Sequence, residues 1–254
     1  MKVIKKLIKL ESGNKAEAIY YESPTKQVIC FSTQLNCAVG CSFCALTGKG
    51  KTVNLSVNDM LLQVLFMDPL KTDKIMLFSI MGEGEPFLNY NNVIEIMKIL
   101  QYRSNTKMSV STSGYKIRKF AHEEFIVPVK LQVSVHSANT LKRSKLVPNA
   151  TGLIHLIKGI NYYHMYNEGD VDLNFTLIEG INDSKEDMLR IFYNFRNEHI
   201  KLSKLNGSVG NANADYCLKK LQDLGMSVEY QETDGADINA TCSQISGIVC
   251  QKGE

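Results

Sequence analysis

No stretch of this 254-residue chain approaches the roughly 18 apolar residues that a membrane-spanning helix needs, and the longest are short runs such as Ile75-Met76-Leu77-Phe78. Charge of one sign is also scarce. The 29 basic and 26 acidic residues leave a net +3, too slight an excess to mark a nucleic-acid-binding protein by bulk electrostatics. Five prolines and 17 glycines form no tract or period, which excludes collagen-like and low-complexity chains, and no sustained heptad pattern argues for a coiled coil. The segment Met1–Lys9 is basic but lacks the apolar core and small-residue cleavage site of a secretory signal, so a cytoplasmic location is expected. What is present, 44% hydrophobic with 22% charged residues, is the composition of a globular protein with a sizeable core in one or two domains.

The pattern after residue 31 alternates strands with helices. Ser56-Val57-Asn58-Asp59 is predicted to cap a helix running to about Phe66, Lys74–Ile80 to form a buried strand ending in a glycine-rich turn, and 91–100 to form a helix. Strands are expected at 108–111, 131–135, 171–177, 200–204 and 226–230. Helices are expected within 152–166, 185–197 and 212–224. Such alternation implies a parallel sheet with crossover helices, here a partial (β/α)6 barrel over residues 32–254, preceded by a short β extension over 1–31. In such folds reactants gather at the carboxyl ends of the strands, where the loops converge. The chemically loaded segments 37–44, 82–86, 111–114, 134–136 and Asn206 all follow predicted strands.

Cysteine is the informative residue. Four of the seven (Cys30, Cys37, Cys41 and Cys44) fall within fifteen positions, whereas Cys217 lies on an apolar helical face and Cys250 near the end of the chain. In a reducing compartment such clustering signals metal or redox chemistry rather than disulfide staples. The spacing C-x3-C-x2-C from Cys37 to Cys44 supplies three thiolates. On a four-iron cluster three protein ligands leave one iron open to a small molecule. Zinc is the alternative, with Cys30 available as a fourth ligand.

This loop resembles that of the radical S-adenosylmethionine superfamily, and within it the chain is similar to the RlmN and Cfr adenosine methyltransferases, from about Leu7 to Gly247. The markers are Cys30 with Cys37, Gly84-Glu85-Pro86, Ser111-Thr112-Ser113-Gly114, Val133-Ser134-Val135-His136, Lys145-Leu146-Val147-Pro148, Gly180-Ile181-Asn182-Asp183 and Asp237-Ile238-Asn239-Ala240-Thr241-Cys242. The resemblance implies that Cys37, Cys41 and Cys44 hold a [4Fe-4S] cluster. It also implies that Gly84, Glu85, Ser111, Ser134, Val135, His136 and Asn206 bind S-adenosylmethionine, two molecules being used per turnover. Cys242 would carry a methyl group destined for C2 or C8 of an adenine in ribosomal or transfer RNA. Cys30 would help deprotonate the adduct and resolve it by a disulfide with Cys242, and Glu17 would act as a proton acceptor. An electron donor such as flavodoxin or ferredoxin is implied, and no membrane.

The sequence also departs from the family. Most members carry an additional N-terminal helical domain that helps grip RNA, whereas here the matched core starts almost at Met1. The segment before Cys242 is acidic, Gln231-Glu232-Thr233-Asp234-Gly235. Glu83 stands where a hydrophobic residue is commoner, and Ser243 replaces a glycine. Candidate RNA contacts are Lys2, Lys5, Lys6 and Lys9; Lys49 and Lys51; Lys116, Arg118 and Lys119; and Lys142, Arg143 and Lys145. Two further readings follow from these departures: the same methylcysteine chemistry on a nucleotide, metabolite or protein, and a noncatalytic metal-binding accessory protein.

Overall fold

The computed structural model describes residues 2–69, 73–205 and 213–231. An antiparallel hairpin of β1 (Lys2–Lys9) and β2 (Lys15–Glu22) leads into β3 (Lys26–Phe31), which pairs antiparallel with β2. A two-residue ribbon, β4 (Gln34–Leu35) with β5 (Val53–Asn54), closes the cysteine-bearing loop. The chain then alternates: α1 (Val57–Met67), β6 (Ile75–Ile80), α2 (Tyr90–Leu100), β7 (Thr106–Thr112), α3 (Ile117–Phe120), β8 (Val129–Ser134), α4 (Thr140–Leu146), α5 (Leu153–Tyr166), β9 (Val171–Leu177), α6 (Lys185–Phe195), β10 (His199–Lys204), α7 (Ala214–Asp223) and β11 (Val228–Tyr230).

One nine-stranded sheet has the order β1-β2-β3-β6-β7-β8-β9-β10-β11, parallel from β3 onward. It is the open parallel architecture expected from the alternation. Because β3 pairs antiparallel on one side and parallel on the other, hairpin and barrel share a continuous sheet.

Strand periodicity sorts the two faces. Ile29, Phe31, Phe78, Ile80, Met108, Val110, Leu131, Val133, Leu173 and Phe175 are buried against the helices as the main core. The alternate residues, Cys30, Ser79, Ser109, Ser111, Gln132, Ser134 and Asn174, share the other face through the pairs Cys30–Ser79, Ser79–Ser109, Ser111–Gln132 and Ser134–Asn174. The concave face is therefore polar from β6 to β9, whereas at its β2–β3 end Cys30 packs with Ile19, Val3, Tyr21 and Met81.

Local signals explain the helix starts. Ser56 and Asp59 form the capping box anticipated for α1, and Ser184 and Asp187 form one for α6; each cap is worth about 1 kcal/mol. Helix α4 was not expected from the sequence, being short and rich in lysine just before Pro148. Asn139 caps it by accepting from the backbone N–H groups of Leu141 and Lys142. No described helix is long and apolar enough to cross a membrane.

Candidate active site

The loop after β3 carries Cys37, Cys41 and Cys44, all free thiols of intermediate exposure. Burial pushes the Cys37 thiol up to about 11 and raises those of Cys41 and Cys44. Mutual charge adds to this, since Cys41 feels both of the others. Three thiols half-withdrawn from water and near one another ionise only if a cationic centre meets them, so this donor set fits a metal core. Among the described residues no three His, Cys, Asp or Glu side chains converge as ligands of a single ion. A cluster that gives each thiolate its own iron makes no such demand.

The loop is held by its neighbours. Ser42 N–H donates to the Leu146 carbonyl at 2.9 Å, Asn149 N–H to that of Val39 at 3.3 Å, and the Asn149 amide to that of Ala38 at 3.1 Å. Val39 packs with Leu146 and Val147. The marker Lys145-Leu146-Val147-Pro148 thus belongs to the segment that clamps the cysteines.

Opposite lies the turn Gly82-Glu83-Gly84-Glu85-Pro86 at the end of β6. Gly82 N–H donates to the Phe31 carbonyl at 3.0 Å and lies so close to the end of β3 that a Cβ would stand 2.5 Å from that carbonyl. Gly84 adopts φ +102° with the Gln34 side chain beside it, a position only glycine fills without strain. Glu85 is 3% exposed. Its carboxylate accepts from Thr112 Oγ1 at 2.6 Å, Ser113 N at 2.7 Å, Ser113 Oγ at 2.8 Å and Phe87 N at 3.2 Å. Burial raises its pKa and these donors oppose the rise. The oxygens are thereby committed to binding the turn to the end of β7. Glu83, by contrast, takes among the described residues a long bond from Asn36 N at 3.4 Å; burial pushes its carboxyl up to about 7, and the Glu17 charge adds to that.

Ser111 is half-buried on β7, Ser134 ends β8, and Val135 and His136 follow with both N–H groups on the Asn174 carbonyl. His136 has φ +58°, its Nδ1 accepts from Thr176 N at 3.2 Å, and its ring meets Phe43 edge-on at 4.8 Å. Burial holds it down to about 3, so the ring is neutral. Asn182, from the Gly180-Ile181-Asn182-Asp183 marker, donates to the carbonyls of His136 at 2.6 Å and Thr176 at 2.8 Å.

Cys30 is 4% exposed on the concave face, and Glu17 shares that face one strand away, its carboxylate 3.0 Å from Lys5 Nζ. Asn206 and Cys242 lie outside the described residues.

The expected RNA-contacting cations divide. Lys142 pairs with Asp187 at 2.7 Å, Lys5 with Glu17, and Arg143 is buried at 2% exposure, so these three serve the fold. Lys116, Arg118, His155 and Lys158 instead line one groove of about 360 Å³ with Thr151, beside the loop that follows β7, and no acidic residue among those described lines it. Arg118 stacks on Tyr162 at 5.1 Å, and Lys119 lies over Tyr90 at 4.1 Å. The sequence reading missed His155 and Lys158, which lie on α5, some forty residues from Arg118; only their helical spacing with Tyr162 signals a shared face.

Comparison with known proteins agrees with this geometry. Residues 31–192 match the Radical SAM superfamily. The chain is 30% identical over 257 residues to a probable dual-specificity RNA methyltransferase RlmN of Clostridium perfringens (strain SM101 / Type A), covering 94% of this chain and 74% of that one. It is 31% identical over 260 residues to its counterpart in Thermotoga neapolitana, with coverage of 94% and 74%. The crystal structure of a radical SAM methyltransferase from Sphaerobacter thermophilus superposes with a TM-score of 0.86 at 29% identity, covering 96% of this chain and 77% of that one. Sequence, fold and cysteine loop together place the chain in the radical SAM superfamily and, within it, among the RlmN methyltransferases, enzymes that use a [4Fe-4S] cluster and S-adenosylmethionine.

Proposed function

We propose that this chain methylates C2 or C8 of an adenine in ribosomal or transfer RNA through a methylated Cys242. Its strongest support is the concave face, which Glu17, Cys30, Ser111 and Ser134 share, Cys30 in an apolar patch and the serines on the polar part, with the three-cysteine loop following β3. Cys37, Cys41 and Cys44 are the ligands of the cluster. Cluster and S-adenosylmethionine together supply one-electron cleavage of a sulfonium bond, with flavodoxin or ferredoxin as the outside electron source.

The remaining work falls to the protein. Gly84 and Glu85 shape the turn that faces the cofactor, Glu85 by fixing it to the end of β7. Ser111, Ser134, Val135, His136 and Asn206 present hydroxyl, backbone, imidazole and amide groups suited to ribose and adenine. Cys242 solves a chemical problem, because adenine ring carbons are poor nucleophiles and a thiolate accepts a methyl group readily. Cys30 takes part in deprotonating the adduct and closes a disulfide on Cys242 to free the product, with Glu17 as proton acceptor. The groove of Lys116, Arg118, His155 and Lys158 meets the phosphates, and exposed Tyr166 with half-buried Tyr162 beside it offers stacking surfaces.

The deciding experiment compares nucleosides by mass spectrometry in RNA from cells with and without the protein. Loss of a C-methylated adenosine on deletion is the expected result. Identical nucleosides, together with no RNA methylation by the anaerobically reconstituted protein, would overturn the assignment.

A further inference from the structure

Arg143 sits inside α4, in a place where an arginine is costly. It is 2% exposed, and no carboxylate among the described residues pairs with it. Its guanidinium instead donates to four main-chain carbonyls: Ser134 at 3.1 Å and Val135 at 2.7 Å through Nη1, Ser113 at 2.8 Å and Thr151 at 3.2 Å through Nη2. Nε is buried with no partner among the described residues. Carbonyl dipoles solvate a cation but do not neutralise it, so a full positive charge stands in the interior without a matching negative one.

The Val135 carbonyl that Arg143 bonds precedes His136, whose ring packs edge-on at 4.8 Å against Phe43, which lies between Cys41 and Cys44 in the cysteine loop. A second link runs through the helix itself. One turn beyond Arg143, the Leu146 carbonyl receives Ser42 N–H, and Leu146 and Val147 pack on Val39, so α4 carries the cation and grips the cysteine loop at once. At its other end the same guanidinium ties together the ends of β7 and β8, which bear Ser111, Ser134, Val135 and His136.

Three thiolates outweigh the positive charge of an oxidised four-iron core by one unit, and uptake of an electron adds a second. We infer that Arg143 is the buried counter-cation of this site, a positioning residue that favours electron uptake by the cluster while its fork holds the cofactor-facing loops in register. This rests on Cys37, Cys41 and Cys44 being the cluster ligands. A neutral side chain of similar bulk would remove the charge and the carbonyl bonds; lysine would keep the charge and lose the fork.

The test is an EPR-monitored redox titration of the full-length protein, reconstituted anaerobically with iron and sulfide, as wild type, Arg143→Lys and Arg143→Met, with iron and sulfide content measured on each. The Met variant is expected to titrate at a more negative potential than wild type, and the Lys variant close to wild type. A Met variant at the wild-type potential, or a Lys variant displaced as far as Met, overturns the assignment. Should the Met variant fail to retain iron, content decides: lysine restoring it supports the counter-cation, and lysine as depleted as methionine refutes it. A wild-type chain that assembles no four-iron cluster is a different failure, one that sinks the ligand assignment and this inference with it.

Discussion

Ser113 is bound to Glu85 twice, by its backbone N–H at 2.7 Å and its hydroxyl at 2.8 Å, both to the same carboxylate oxygen. That pair joins the turn after β6 to the loop after β7. Glu85→Gln would turn an amide NH2 toward donors, leaving buried N–H and O–H groups unsatisfied. A stability loss of about 3 kcal/mol is expected from such charge-assisted bonds, read as a lower denaturant midpoint at unchanged slope. A variant within 0.5 kcal/mol, roughly the scatter of surface substitutions, would contradict it.

Gly82→Ala probes the contact between the end of β3 and the turn that follows β6. The added carbon meets the Phe31 carbonyl at 2.5 Å and Ser32 N at 2.6 Å, backbone atoms that have no rotamer to yield. Destabilisation of about 3 kcal/mol, at the upper end of overpacking, is expected in thermal or denaturant unfolding. A neutral result would show that the two strands separate freely.

His136 gives stability a pH dependence. Its folded pKa, about 3 through burial and the Arg143 charge, lies below the ordinary value of 6.5. The unfolded chain therefore binds a proton that the native one refuses. The contribution is intact above about 6.5 and is lost as pH falls toward 3, at up to about 1.4 kcal/mol per pH unit. His136→Asn tolerates the positive φ and lacks the titration, so the stability gap between wild type and variant should narrow from pH 7.5 to 5.5. A gap independent of pH would refute this.

The cysteines should separate by role. Cys41→Ala is expected to lose most bound iron, with the visible cluster absorbance. Cys242→Ala should keep iron and its visible absorbance while transferring no methyl group to RNA. Methyl transfer by that variant would refute the relay.

Removing the groove cations, as Lys116→Ala, Arg118→Ala and Lys158→Ala combined, should weaken RNA binding and flatten its salt dependence by about 0.7–0.9 in log–log slope for each phosphate no longer neutralised. Lys142→Ala should leave both unchanged, since that ammonium already belongs to Asp187. Fluorescence anisotropy across a salt series reads the two together.

Much of the fold was legible because its signals are local. Ser56 three residues before Asp59 announces α1, and the apolar runs at 75–80 and 171–177 announce buried strands. Helix α4 leaves little trace in the sequence, since seven residues with two lysines and an arginine before a proline carry little helical period. The site was legible as far as residue types in order, with the three-cysteine spacing and the Gly84-Glu85-Pro86 turn as its firmest parts.

What the sequence by itself determined is the donor chemistry and the alternation that builds a parallel sheet, because spacing and period are properties of neighbours along the chain. Only the tertiary structure decided which charged groups are spent on the fold. Lys142, Arg143 and Lys145 read as one basic run, yet one is paired with Asp187, one is buried against four carbonyls and one is exposed. Glu85 and Glu83 read as near twins, yet among the described residues one carboxylate is saturated by four donors while the other keeps a single long bond. The physical reason is common to both cases: a charge acquires its role from the partners and dielectric that folding brings to it, and those come from strands and helices distant in sequence.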